Sequence, residues 1–285
     1  MKKIIALLMA LLMVGAVLAA CGKTADKPAA TDAAATQAAT ADSATADSAA
    51  TVADLEKVQK AGKLIVGITD FEPMDYQKDG KWIGFDADMA TKFADSLGVK
   101  AEFVEIDWDN KALELKGGSI DCVWNGMTLT DEVMSAMETS NAYCNNAQVV
   151  VVPADVADQY QDAESIADLT FAVEAGSAGE AEVNALGYAT TPVQSQADSL
   201  MEVSAGTSDA AVIDLLMAAA MIGEGTSYDN LTHTVELNSE KYGVGFRKGS
   251  DLAAALNQFF ADSYADGSMQ EIAEKYGVQD ALLEQ

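Results

Sequence analysis

Thiols, carboxylates and unpaired backbone N–H groups carry whatever chemistry this 285-residue chain can do. Cys21 closes the run Leu18-Ala19-Ala20-Cys21, behind the basic start Met1-Lys2-Lys3 and an apolar stretch over residues 4–17. Small residues leading into a cysteine after a short apolar core form the pattern at which a lipoprotein precursor is cut and acylated on the thiol. A retained membrane-spanning helix is the alternative, and both place the rest of the chain outside the cytoplasm. Cys122, in Ile120-Asp121-Cys122-Val123-Trp124, and Cys144, after Tyr143, could form a disulfide there or remain packed thiols, since sequence gives no distance between them. His233 is the one histidine, and no Cys/His spacing suits a metal, so neither a metal nor another cofactor is expected. Asp214 opens a predicted helix, where its carboxylate could cap the helix or meet a cation. Ser177 and Ala178 open another, whose N–H groups could receive an anionic oxygen or simply begin the helix. Trp124 stands just before Asn125-Gly126 and could pack in a core or stack on a cation. Gly126 and Thr128 follow a strand, where backbone groups are free. No Gly-Lys-Ser or Gly-Lys-Thr follows a glycine cluster, so a phosphate-cradling loop is absent.

Composition separates these candidates from the leader. Residues 22–52 are mostly Ala, Thr, Asp and Ser, with no aromatic residue, and cannot bury a core; residues 21–52 are therefore expected to be an acylated cysteine and a flexible tether. A partly helical stalk is the alternative, weakened by side chains that compete for the backbone. The formal net charge is -28, and loss of a leader holding Lys2 and Lys3 takes it to about -30. Such a charge repels phosphate backbones and anionic lipid, which argues against nucleic-acid binding and polybasic membrane attachment. It also draws cations weakly towards any cleft, within a screening length of roughly 8 Å.

The elements that must position the candidates alternate in type. Residues 63–69 read as a strand, 86–97 as a helix stopped by Gly98, 101–106 as a strand, and 110–116 as a helix stopped by Gly117-Gly118. A strand at 120–124, a helix at 131–137 and the unbroken apolar run at 148–152 follow, the last suited to a sheet covered on both faces. The rhythm restarts with strands at 169–174, 188–193 and 210–213, and helices at 178–186, 196–203 and 214–222. Strands at 231–237 and 242–247 and helices at 251–265 and 268–276 end the chain. Two βα series of this length predict an α/β protein of two lobes.

The folded region resembles the extracellular solute-binding proteins of ABC importers for polar amino acids. The resemblance is carried by ordered motifs. Leu64-Ile65-Val66-Gly67 and Phe71-Glu72-Pro73-Met74 come first, then Gly84-Phe85-Asp86-Ala87-Asp88-Met89-Ala90 and Asp107-Trp108-Asp109. Asn125-Gly126-Met127-Thr128-Leu129-Thr130-Asp131-Glu132, Glu174-Ala175-Gly176-Ser177, Ser208-Asp209-Ala210-Ala211-Val212-Ile213-Asp214 and Tyr242-Gly243-Val244-Gly245-Phe246-Arg247-Lys248-Gly249 follow. It implies the two-lobed periplasmic-binding-protein fold of type II, with lobe one at residues 53–151 plus 243–285 and lobe two at 152–242. The lobes would be joined by two crossing strands and would close by a hinge over a small molecule, as a monomer, before docking on a permease.

Carried over residue by residue, the resemblance implies that Phe71 and Trp108 sandwich the ligand's apolar stem, with ordinary lobe-one core as the alternative for each. Gly126 would offer a carbonyl to its ammonium, Thr128 a hydroxyl and amide to its carboxylate, and Ser177 and Ala178 further N–H groups. Asp214 would be the counter-charge for the ammonium, with Asp70 a second candidate. Glu174 stands where many relatives carry a neutral or basic residue. The family's carboxylate-clamping arginine is replaced by Val133, and the only arginine, Arg247, matches a position outside the usual site. Either backbone donors or a lysine take over, or the ligand is an amine or other cation without a carboxylate. Lyase relatives of this fold need several positioned cationic groups, which one arginine and one histidine do not supply, so no enzymatic activity is expected. A sensor module using the same clamp is the remaining alternative.

Overall fold

The computed structural model describes residues 53–285; the expected leader, Cys21 and the tether lie outside the described residues. Helix α1 (Asp54–Ala61) leads into β1 (Lys63–Ile68). A hairpin of β2 (Tyr76–Lys78) and β3 (Lys81–Ile83) precedes α2 (Phe85–Ser96) and β4 (Lys100–Glu105). A tight turn at Trp108–Asn110 enters α3 (Lys111–Gly117), followed by β5 (Cys122–Thr128), α4 (Asp131–Ala136), β6 (Glu138–Thr139) and β7 (Cys144–Asn146). The second series runs β8 (Gln148–Pro153), β9 (Thr170–Glu174), α5 (Ala178–Leu186), β10 (Ala189–Val193) and α6 (Gln196–Ala205). It continues through β11 (Ala210–Asp214), α7 (Leu215–Met221) and β12 (Leu231–Glu236), before β13 (Glu240–Phe246), α8 (Leu252–Ala265) and α9 (Ser268–Tyr276).

Two large sheets result, one per lobe, beside the two-stranded β2–β3 sheet. The first has the order β4-β1-β5-β13-β6 with β7 also on β13; the second has the order β10-β9-β11-β8-β12. β1 pairs parallel with β4 and β5, while β13 runs antiparallel to β5. In the second sheet β9 is parallel to β10 and β11, and β8 is antiparallel to β11. The chain crosses between sheets twice, through Ala147 and through residues 237–239.

The expected lobe limits at 151 and 243 shift accordingly. β8 hydrogen-bonds wholly within the second sheet and β13 starts at Glu240 in the first. A valine run buried on both faces suits either sheet, and its partners are set by tertiary pairing rather than local pattern. The strand expected at 120–124 lies at Cys122–Thr128, so Asn125, Gly126 and Thr128 are strand residues.

One buried cluster runs through both lobes, from Phe85, Phe93, Trp124, Tyr143 and Phe260 to Val149, Val151, Ile213 and Met217, and Val150, Val152, Phe171, Val173 and Val212 form a second cluster on the other face of the second sheet. Burying each such side chain contributes about 1.5–3 kcal/mol. The helices that edge the cleft have explicit starts: Thr130, Ser177 and Ser195 hydroxyls accept the N–H groups of Val133, Glu180 and Asp198. Cys122 and Cys144 are buried free thiols. They face Phe246 and Tyr242 on β13, four residues and about 13 Å apart along that strand, beyond the reach of a disulfide. Arg247 binds Asp54 and Asp121 at 2.9 and 3.1 Å, fastening α1 to the lobe instead of entering the cleft.

Candidate functional site

A cavity of about 340 Å³ lies between the strand ends of the two sheets. From the first lobe it is lined by Trp108, Lys111, Asn125, Gly126, Thr128 and Val133, and from the second by Glu174, Gly176, Ser177, Ala178, Gln196 and Asp214.

Asp214, the last residue of β11, stands at the start of α7, yet its side chain makes no capping bond. Its carboxylate is instead held by four neutral donors. Oδ1 accepts from Tyr242 Oη at 2.7 Å, Gln148 Nε2 at 3.0 Å and Asn146 Nδ2, while Oδ2 accepts from Gln196 Nε2. Gln196 Oε1 accepts the Asp214 backbone N–H at 2.8 Å. Burial, and next the Glu240 charge, push the carboxyl well above the usual carboxylate range despite these bonds.

Glu174 ends the adjacent β9 and is 2% exposed. Its Oε1 has no hydrogen-bond partner. Burial pushes the carboxyl up to about 8, with the Thr69 hydroxyl and the Lys111 ammonium pulling the other way. A buried acceptor without a donor costs about 1–3 kcal/mol, so this oxygen is a place where an incoming N–H group stabilises the structure.

Lys111 bridges the lobes. Its Nζ donates to Trp108 O at 3.2 Å and across the cleft to Gly176 O at 2.8 Å, and lies 4.9 Å from the centre of the Trp108 ring. Burial lowers its pKa, against the opposing pull of Glu174, Asp109, Glu132 and Glu180. Gly176 has φ +72, and a Cβ there would lie 2.7 Å from Asp109 Cα, so glycine is what lets the two lobes approach. Gly126 has φ +56, and a Cβ there would lie 2.5 Å from the Phe71 ring.

Eight of the sequence candidates line the cavity: Trp108, Asn125, Gly126, Thr128, Glu174, Ser177, Ala178 and Asp214. Several have prior engagements. Asn125 accepts the Thr69 N–H at 3.1 Å and donates to Thr69 Oγ1 at 2.9 Å. Gly126 N–H donates to Asp86 Oδ2 at 2.7 Å. Thr128 donates its hydroxyl to Glu240 Oε1 at 2.8 Å, and Ser177 Oγ caps α5. Gly176 N–H is taken by Glu180 Oε2 at 2.7 Å.

Three candidates do not line the cavity. Asp70 is an exposed side chain outside it. Phe71 packs into the first-lobe core behind Gly126, edge-on to Tyr242 at 6.3 Å. Trp124 points to the opposite face of β5, between Phe93 at 6.3 Å and Phe260 at 5.6 Å. Strand alternation explains Trp124, because its neighbour Asn125 takes the other face. Sequence reading missed Lys111, Asp109, Glu132, Glu180 and Gln196. The one available signal was position, since each lies in or beside the first turn of a helix at the cleft edge. The cavity wall thus carries five carboxyl groups (Asp109, Glu132, Glu174, Glu180, Asp214) against one cation, Lys111. Among the described residues no group of three or more His, Cys, Asp or Glu side chains converges to hold a metal.

The family model of bacterial extracellular solute-binding proteins, family 3, matches residues 64–279. The chain belongs to that family. Among its relatives, this solute-binding protein is 28% identical over 228 residues to the L-cystine-binding protein TcyJ of Escherichia coli K12, covering 78% of this chain and 85% of the relative. It is 26% identical over 223 residues to the arginine-binding extracellular protein ArtP of Bacillus subtilis, covering 75% and 86%. Its structure superposes with TM-score 0.72 on a substrate-binding protein of an ABC uptake transporter from Streptococcus pneumoniae with bound histidine, at 30% identity, covering 81% and 98%. The two-lobed architecture expected from the motifs is that of these solute-binding proteins.

Proposed function

We propose that this protein is the lipid-anchored receptor of an ABC importer and captures a cationic amino acid between its lobes for delivery to a membrane permease. One observation carries the choice of ligand charge: five carboxyl groups face one lysine around the cavity, and the Glu174 Oε1 has no donor of its own. A positive ligand relieves both conditions, whereas an acidic one meets like charge and a neutral one leaves the carboxyl groups without a counter-charge. Asp214 receives the ammonium with the Gly126 carbonyl, Trp108 covers the stem, and Glu174 meets the distal cation. The α-carboxylate is met by Lys111 and the Ala178 N–H, the Ser177 N–H being held by the Glu174 carbonyl at 3.1 Å. The relatives named for arginine and histidine support this class. Anchoring rests on Cys21 and its flanking sequence, and Cys21→Ala is expected to release the protein from membranes.

A second reading, an amine without a carboxylate, is favoured by a specific set of contacts. Val133 lines the cavity in place of a cation, the Thr128 hydroxyl is on Glu240, and Gly176 N–H is on Glu180. Thermal shifts of the full-length protein separate the readings: L-arginine, L-lysine, L-histidine and L-cystine are each paired with the decarboxylated amine, alongside L-glutamate and L-leucine. A ligand at 100 times its Kd adds about 2.7 kcal/mol and raises the melting point by several degrees. Shifts with cationic amino acids support the first reading, and shifts confined to amines transfer the assignment to the second. A response to L-glutamate or L-leucine alone overturns both.

A further inference from the structure

The two crossings between the lobes are tied together by one carboxylate that lies outside the cavity wall. Glu240 Oε1 accepts from Thr128 Oγ1 at 2.8 Å, Asn146 Nδ2 at 2.7 Å and Gln148 Nε2 at 2.8 Å. Glu240 Oε2 accepts from Asn238 Nδ2 at 3.0 Å, and Asn238 Oδ1 in turn accepts the Gln148 backbone N–H at 2.8 Å. Asn146 and Gln148 flank the first crossing, and Asn238 and Glu240 belong to the second and its edge. The same two amide nitrogens, Asn146 Nδ2 and Gln148 Nε2, also donate to Asp214 Oδ1. Each is therefore shared between the cavity carboxylate and Glu240.

Shared donors have a mechanical consequence. With Glu240 removed, Asn146 Nδ2 and Gln148 Nε2 each lose one of two acceptors, so two of the four donors on Asp214 are held less firmly while Tyr242 and Gln196 remain. We propose that Glu240 is a positioning residue for ligand capture: it holds the two crossing segments in the closed arrangement and aims Asp214 through Asn146 and Gln148, without touching the ligand. The role rests on Asp214 as the ligand's counter-charge, while the hinge part stands on the contacts alone.

The test is a double-mutant cycle on the full-length protein with Glu240→Ala and Gln148→Met, read by titration with L-arginine. Each substitution is expected to weaken binding about tenfold, the size of one lost charge-assisted hydrogen bond. Because both act through the same donor, the double variant is expected to lose far less than the product of the two. The Glu240→Ala loss should lie in the dissociation rate, with association within about twofold of the parent. Glu240→Gln keeps an acceptor oxygen for the shared amides and is expected to return to within about threefold of the parent. Multiplicative losses in the cycle, or a lowered melting point with unchanged rates, overturn the proposal. So does an equal loss in the Gln and Ala variants, which would leave bare charge as the cause. If L-arginine does not bind the parent, the ligand reading has failed separately. The same cycle read on the ligand-free melting point then decides: coupled shifts support the hinge role and additive shifts overturn it.

Discussion

Asp214 and Glu174 end neighbouring strands of one sheet, are buried to the same degree, and differ in how fully their oxygens are hydrogen-bonded. Asp214 accepts from four neutral side-chain donors, one of them on the first lobe's β13, before any ligand arrives. Glu174 keeps Oε1 without a partner. The difference separates two roles in recognition. The Asp214 end is preorganised, so a ligand ammonium finds a carboxylate already oriented and loses little to rearrangement. The Glu174 end is incomplete, so a ligand that brings a donor there gains the stabilisation that the empty protein lacks.

The largest expected effect breaks the preorganised end. Asp214→Asn leaves a bound ammonium without its counter-charge and turns part of an acceptor set into donors facing Gln196, Gln148 and Asn146. L-arginine binding, followed calorimetrically, should weaken by at least about 100-fold, in line with the 3–5 kcal/mol typical of breaking one side of a buried pair. Normal binding by this variant would remove Asp214 from the site.

Next comes Glu174→Gln, for which a loss of about tenfold is expected, because an amide still offers one acceptor oxygen. Its clearer signature is protonic. With the Glu174 carboxyl pushed up to about 8 in the empty protein, binding a cation at pH 7 should expel a proton. Affinity in the parent then rises as pH approaches 8, and titrations in buffers of different ionisation enthalpy should show the released proton. The variant should lose the Glu174 share of both, leaving only what Asp214, whose carboxyl burial also holds above the usual range, contributes. Stability moves the opposite way: the folded state holds a proton that the unfolded chain releases near its ordinary value of 4.5, so this contribution is complete below about 4.5 and is lost as pH rises through about 8. Glu174→Gln should flatten that part of the melting-point profile. An unchanged profile would mean that Glu174 is ionised in the empty protein.

Much of this was legible in the chain and the rest for definite reasons was not. Helix α5 falls at the predicted residues because Ser177 caps it and Gly187 ends it, both local signals. The cavity positions of Asp214 and Ser177 follow from a strand end and a helix start, whereas Gly126 lies inside β5, past the 120–124 that local pattern marks. Trp124 and Phe71 were ambiguous because an aromatic beside a cleft strand serves core and ligand equally, and only the face it takes decides. Lys111 was invisible because its role is a contact across the cleft to Gly176, 65 positions away, made by tertiary approach and not by spacing. The run at 148–152 was recognised as a buried strand, but which sheet it joins depends on partners at 211–214 and 231–236.

The cationic side of the same comparison is sharpened by Val133→Arg. An arginine on α4 would reach into the cavity from the position that Val133 lines, adding a fork of donors for a carboxylate and a repulsive charge for a cation. For L-arginine the two effects oppose, and a change within about tenfold is expected. Agmatine, the same cation without the carboxylate, feels only the repulsion. The ratio of the two affinities should therefore move towards the amino acid, and a ratio moving towards agmatine would mean that the ligand carboxylate lies elsewhere.

The smallest change in affinity is expected at Lys111→Met. Loss of the ammonium removes the 2.8 Å bond to Gly176 O that spans the cleft and so weakens the contact between the lobes. It also takes away the cation that meets the ligand carboxylate, while sparing the ligand's own positive groups its repulsion, and these opposed effects should leave L-arginine binding within about threefold of the parent. The pH profile should nevertheless move. Lys111 is one of the groups that hold the Glu174 carboxyl down against burial, and without it that carboxyl rises further. Proton release on binding then persists to higher pH, and the rise in affinity levels off later than in the parent. Titrations from pH 6 to 9 decide the matter: a later plateau ties Lys111 to the unfinished Glu174 end, whereas an unshifted plateau confines Lys111 to bridging the lobes.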